Sequence, residues 1–259
     1  KNLAGYMSLT YSITGLLIVL GVAGRHVMAA DVAIVQGAVL ATFYVLSGDA
    51  RHLILAGSAR AENVIYFRLL WVLPLALLSY FMSVLVGQVD VVIALGLILR
   101  RSAEWLAEPH VTEMERQNNS WAGWYLQPLI FLAFVIQVLL VKEFWLIWFW
   151  AASPIMFSFK FMMQAKPQNS FNFAWENIGS TAIIGLTGYI QRLLIVSFVG
   201  KELSGMLFPG FAIGSFVGTM AANVAGPTLL HKGLFYSRYL TAGLILLVLM
   251  GMVMFFMSG

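Results

Sequence analysis

The sequence predicts an all-α integral membrane protein of about nine transmembrane helices, and three observations lead there. Of 259 residues, 61% are apolar and 26 are charged (15 Lys+Arg, 11 Asp+Glu), a charged share of 10% against roughly 25% in a soluble domain. The apolar residues fall in continuous runs near the ~20 residues that cross a bilayer. The charges between those runs are strongly biased to one side.

A soluble core of this length could not hide so much apolar surface behind a wettable exterior. The mean hydropathy of +0.87 therefore argues against a soluble enzyme, a nucleic-acid-binding domain or a disordered chain. A net charge of +4 is too small for a polyanion-binding surface, and no nucleic-acid partner is expected. There is no cysteine, which excludes disulfides and thiolate metal sites.

Asn2 to Gly24 carries no charge and is too long for a signal-peptide core. Further charge-free runs cover Val32–Gly48, Leu69–Val89, Gln117–Val141, Phe144–Phe159, Asn177–Gln191 with Leu193–Gly200, Leu203–Leu230 and Tyr239–Gly259. They do not alternate, so they read as helices rather than strands. Val91–Leu99 is too short to span, but extended past Arg100 and Arg101 to Leu106 it reaches the required length if those arginines snorkel or line a wet cavity. The expected spans are 3–24, 31–54, 64–86, 89–107, 120–141, 144–164, 172–199, 203–230 and 239–257.

With the N-terminus cytoplasmic, the inner side collects Lys1, Arg51, Arg60, Arg68, Arg100, Arg101, Arg116, Lys160, Lys166, Lys232 and Arg238. The outer side collects Arg25, Lys142 and Lys201. This eleven-to-three split obeys the positive-inside rule. Without the fourth span every later loop changes side and the bias is lost. Trp105, Trp121, Trp124, Trp145, Trp148, Trp150 and Trp175 fall near predicted span ends, where interfacial tryptophan belongs, and Trp71 falls within a span.

Leu16-Leu-Ile-Val19 precedes Gly24-Arg25, and Leu193-Leu-Ile-Val196 precedes Gly200-Lys201. The copies lie six spans apart, so they keep one orientation and read as a parallel repeat about an axis along the membrane normal. Chance recurrence of a cheap apolar tetrapeptide is the competing reading. The repeat divides the chain into an N-terminal transmembrane lobe, 1–166, and a partial C-terminal lobe, 167–259. The start at Lys1 without Met, and the end at Gly259 on a hydrophobic run, read as a fragment or truncated frame.

The segment Gly188-Tyr-Ile-Gln-Arg-Leu-Leu-Ile-Val-Ser-Phe-Val-Gly200, continued by Lys-Glu-Leu-Ser-Gly-Met-Leu-Phe, resembles the seventh-helix region of polysaccharide (Wzx-type, O-antigen or exopolysaccharide) flippases of the multidrug/oligosaccharidyl-lipid/polysaccharide superfamily. Ser47-Gly-Asp-Ala-Arg51 is similar to the end of the family's second helix, and Leu99-Arg-Arg-Ser-Ala-Glu-Trp-Leu106 to the basic inner end of its fourth. The resemblance covers nearly the whole chain in helix order. It implies 12 to 14 spans, of which these would be about two thirds. It also implies a multi-pass protein of the bacterial inner membrane, without a cofactor and expected to be monomeric, that flips a polyprenyl-pyrophosphate-linked oligosaccharide. Basic residues at the positions of Arg25, Arg51, Arg100, Arg101 and Arg192 would contact this anionic lipid-linked substrate, with membrane lipids around the bundle. Family members often place an acid just before Leu-Leu-Ile; Gln191-Arg192 stand there instead, so coupling to H+ or Na+ through that acid is not implied.

Read from the residues themselves, Arg192 interrupts a span, where an unpaired guanidinium costs on the order of 3 kcal/mol. Thr181, Gly185 and Gly188 lie within about 40° of it on a helix, whereas Glu176 lies on the far side. That face reads as a wall against water or an anionic head group; the alternative is an arginine snorkelling to the outer interface. Arg51 also reads as an anchor paired with Asp49. Arg100 and Arg101 precede Glu104, Glu108, Glu113, Glu115 and Arg116, which look like a solvated loop. Gly210, Gly214, Gly218, Ala222 and Gly226 form a small-residue ladder for close helix packing and sliding during gating, bracketed by Pro209 and Pro227, which can kink or end the helix. Pro128 and Pro154 are candidate breaks in the fifth and sixth spans.

His26, His52, His110 and His231 are scattered, so no metal is expected. No phosphate loop or nucleophile elbow occurs. The competing functions are a multidrug or cation exporter of the same superfamily, which would favour intramembrane carboxylates, and a membrane-embedded glycosyl- or acyltransferase. The enzyme would need a catalytic His or carboxylate pair at a helix end, but Asp31, Asp49, Asp90 and Glu176 are isolated in sequence.

Overall fold

The computed structural model describes residues 9, 11–47, 50–117, 126–140, 145–164 and 178–232, with side chains to residue 215 in the last helix. Among these residues all regular structure is helical and there is no strand. The order is α1 (Ser12–Val22), α2 (His26–Phe43), α3 (Ala50–Leu55), α4 (Ala61–Tyr80) running on into a π-helical turn (Phe81–Val86), α5 (Val91–Arg116), α6 (Leu126–Leu140), α7 (Leu146–Gln164) and α8 (Ile178–Lys232).

Four helical segments are long and apolar enough to cross a membrane: His26–Phe43, Ala61–Val86, Leu146–Gln164 and Ile178–Ser215. Their surfaces carry the same message. Leu70, Leu73 and Leu77 of α4 are 60%, 65% and 60% exposed, a continuous apolar face that water would not tolerate. Inside, Thr42 and Ser79 hydroxyls meet at 2.6 Å, and the guanidinium groups of Arg68 and Arg100 are buried. Apolar outside with satisfied polar groups inside is compatible with a membrane protein, because lipid takes the place of water at the surface.

Four expectations change. The second span, expected over 31–54, ends at Phe43; residues 44–47 turn, and α3 is a separate short helix. Ser47 Oγ donates to the Phe43 carbonyl at 2.8 Å, the local bond by which serine competes with helix continuation. The fourth helix does not stop near 107: α5 runs to Arg116, so its acids lie on helix rather than in a solvated loop. Asp90 starts it by accepting from the Val92 and Ile93 amides at 2.9 and 3.1 Å. Pro154 does not break α7, and α6 continues from Leu126 through Pro128. In α8 the non-helical residue is Gly200 (φ 78°, ψ 169°), with the helix continuing through Pro209 and Pro227. The count of nine spans is not established by these helices. The expected ninth span, 239–257, lies outside the described residues, as does the 165–177 segment holding the expected lobe boundary.

α5 is the hub. It packs on α2, α3, α4 and α7 and buries Ala94, Leu97, Ala103, Trp105 and Ala107. Phe43 meets the Trp105 ring edge-on at 5.3 Å. The chain forms two compact units, 1–209 and 210–259. The first holds every contact described below.

Candidate functional site

Charges on α5 are matched to arginines from other elements. Arg51 of α3 places Nη2 3.0 and 2.9 Å from the two carboxylate oxygens of Glu115. Its expected partner Asp49 lies outside the described residues. Arg68 of α4 donates to Glu108 at 2.8 Å. Within α5, Arg100 Nε donates to Glu104 at 2.7 Å, and Arg101 lies 3.6 Å from the other Glu104 oxygen. Arg116 pairs with Glu113 at 2.5 Å, holding that carboxyl below its ordinary range. A cleft of about 410 Å³ opens at this end beside Arg60, Glu62, Asn63, Glu113, Arg116 and Gln164.

Two buried arginines share a device that the sequence reading missed. Proline lacks an N–H, so inside a helix it leaves the carbonyl four residues earlier without its donor. Pro109 thus frees the Trp105 carbonyl, and Arg68 donates to that oxygen while its guanidinium lies 5.0 Å over the Trp105 ring. Pro154 frees the Trp150 carbonyl. Arg100 donates to it at 2.8 Å, with its guanidinium 4.8 Å over the Trp150 ring. The repeated signal is legible in hindsight as Trp105-Leu-Ala-Glu-Pro109 and Trp150-Ala-Ala-Ser-Pro154. Each supplies one free acceptor and one π-face to a cation. Arg68→Met should therefore destabilise the protein by about 3 kcal/mol or more. Adding Pro109→Ala should recover part of that loss by restoring a helical donor. Chemical unfolding in detergent reads both; no recovery in the double variant would dissociate the arginine from the proline.

Beyond the apolar part of α5, His110 Nδ1 lies 3.2 Å from Ser158 Oγ, and its ring stacks on Phe161 at 4.5 Å. Burial pushes its pKa down to about 4. A depressed histidine pKa favours the neutral native form, so stability is complete above the ordinary value near 6.5 and declines as pH falls from there toward 4. The slope should approach about 1.4 kcal/mol per pH unit. His110→Gln should flatten it in unfolding titrations between those limits, and an unchanged slope would assign it to other groups.

The second constellation is the seam between α2 and α8. Gly185 brings α8 onto α2 so closely that a Cβ there would lie 2.8 Å from Ala41 Cα. Further along, a Cβ on Gly37 would meet Arg192 Nη1 at 3.1 Å and Tyr189 Cα at 3.2 Å. Gly185 and Arg192 therefore share the face turned to α2, with Gly188 beside the Arg192 guanidinium, while Ile183, Ile190, Leu194 and Phe198 are exposed. The Arg192 guanidinium donates to the Gly188 carbonyl at 3.3 Å, a long bond. That direction points back along the helix, away from Gly200. No carboxylate pairs with it among the described residues. Tyr189 crosses the seam to donate to the Met82 carbonyl at 2.6 Å.

The remaining expected residues separate in space. Arg25 starts α2 beside Gly24, half-buried and without an ion pair among the described residues. Arg100 is enclosed within the lobe, 1% exposed, not on the seam. A Cβ on Gly210 or Gly214 would meet nothing within 4 Å. The surroundings of Gly218, Ala222 and Gly226 lie outside the described residues. The glycines that do pack α8 are Gly185 and Gly205. The two repeat turns share one backbone feature: Gly24 (φ 72°) and Gly200 (φ 78°) both adopt the left-handed conformation that disfavours any residue with a Cβ.

No family model matches the chain, and no curated protein or solved structure matches it.

Proposed function

We propose that the protein is a transporter of the bacterial inner membrane that flips a polyprenyl-pyrophosphate-linked oligosaccharide by alternating access between its lobes. The observation that carries this reading is Arg192. It is a cation within an apolar helix, on a glycine-lined seam, donating only a long bond to its own helix and facing no acid among the described residues. Such a group favours an anionic ligand, and its planar donor fork suits phosphate oxygens. The resemblance of Gly188–Phe208 and Leu99–Leu106 to polysaccharide flippases supplies the substrate class. Export of a cation is less well supported: Asp31, Glu104 and Glu113, the buried carboxylates among the described residues, are each already matched to a basic side chain. A cytoplasmic N-terminus follows from the eleven-to-three charge split.

Reconstitution provides the test. Proteoliposomes holding a polyprenyl-pyrophosphate-linked oligosaccharide in the inner leaflet should expose it to an added glycosidase faster than protein-free vesicles do. Equal rates with correctly inserted protein would overturn the proposal.

A further inference from the structure

At the end of the seam marked by Gly24 and Gly200, three parts of the chain converge on one ammonium group. Lys201 Nζ donates to Asp31 Oδ1 of α2 at 2.6 Å and to the Gln88 carbonyl, between the π-helical turn and α5, at 2.8 Å. Asp31 is 7% exposed. Gln88 has φ 50°, a conformation few residues with side chains adopt unless their surroundings hold them there. We propose that Lys201 is a latch: it closes this end of the seam by tying α8 to α2 and to the Gln88 loop, and it releases when the transporter opens toward that side.

Three features separate this arrangement from an ordinary surface ion pair. First, Lys201 immediately follows Gly200, the non-helical residue of α8, so the tie acts where the helix is already broken. Hinges take up such changes in a few backbone angles. Second, the packing beneath it is close, with glycine backbone against backbone at one point and against a proline ring at another. A Cβ on Gly205 would fall 1.8 Å from the His26 carbonyl oxygen, and one on Gly21 would fall 2.2 Å from Pro209 Cγ. To this close packing the polar tie adds a direct bond between α8 and α2. Third, the device is one-sided. Arg25 is the counterpart of Lys201 in the sequence repeat, yet it has no ion pair among the described residues. The position seven beyond Gly200, matching Asp31, is Leu207. The latch therefore belongs to one pairing of α8 with α2, not to both copies of the turn.

The inference rests on the transport reading, and its test needs no substrate. The chain has no native cysteine, so spin labels can be placed at V27C and E202C, both exposed positions, and distances measured in bilayers. The unsubstituted latch should give mainly one short distance. Lys201→Met and Asp31→Asn should each raise the ratio of long to short distances about tenfold, equivalent to roughly 1.4 kcal/mol. The two together should do no more than either alone. Lys201→Arg, which keeps the charge, should stay closed. Unchanged distances in Lys201→Met with native helix content, additive single effects, or opening by Lys201→Arg as large as by Lys201→Met would each overturn the latch. Responding distances without flipping in the vesicle assay would instead count against the transport reading and leave the latch standing.

Discussion

Arg100→Met is expected to lower the unfolding free energy by about 3–5 kcal/mol, a larger loss than at any exposed basic residue of the chain. Arg100 lies within an apolar bundle at 1% exposure, yet it is satisfied on two sides. Its Nε donates to Glu104 at 2.7 Å and to Ser12 at 3.1 Å. Its Nη1 reaches Gln127 at 3.2 Å, the Trp150 carbonyl at 2.8 Å and Ser153 at 3.2 Å. One side chain thus links α1, α5, α6 and α7. Methionine would leave the buried Glu104 carboxylate with one hydroxyl bond and a 3.6 Å contact to Arg101, and the Pro154-freed carbonyl dependent on Ser153 alone. Lysine keeps the charge but concentrates its donors at one point, so it should recover less than half of the loss. Arg100→Met combined with Glu104→Gln should be less harmful than Arg100→Met alone, because the stranded charge is removed. Unfolding titrations in detergent decide it: a cost below about 1 kcal/mol for Arg100→Met would show that the network is dispensable.

On the proposed transport function, Arg192→Ala should leave the protein folded and reduce flipping of the pyrophosphate-linked lipid about 10- to 100-fold, corresponding to one charge-assisted hydrogen bond of roughly 1.5–3 kcal/mol. The contrast with Arg100 is the reason. Arg192 makes one long bond to its own helix, so among the described residues its removal breaks no ion pair and frees no buried acid. Arg192→Lys should retain partial transport, since charge persists while the fork is lost. Gly37→Val should also impair transport, because the added atoms would enter the space held by the guanidinium. Rates equal to wild type for Arg192→Ala, at matched abundance in the membrane, would remove Arg192 from the substrate path.

The two arginines show how far sequence reasoning reaches. Both interrupt apolar runs, and insertion cost alone marks both as needing an explanation. Periodicity places Gly185 and Gly188 on the face of Arg192, and α8 does turn Gly185 and Arg192 toward α2. The acids following Arg101 misled because their density looks like a solvated loop. In the folded chain Glu104, Glu108 and Glu115 are spaced along one helix and matched to arginines from α3, from α4 and from α5 itself. Arg68 was assigned to a loop by its charge, although it is buried on α4.

Helical character, apolar surface and the break at Gly200 were set by local properties: run length, composition and a glycine able to take positive φ. Pairing was not local. Lys201 meets Asp31 across 170 positions, and Arg68 meets Glu108 across 40. Nothing in the spacing of those residues specifies either contact. The fold decides them, because an apolar interior gives every buried charge a large incentive to find a partner and leaves the choice of partner to whichever helix faces come together.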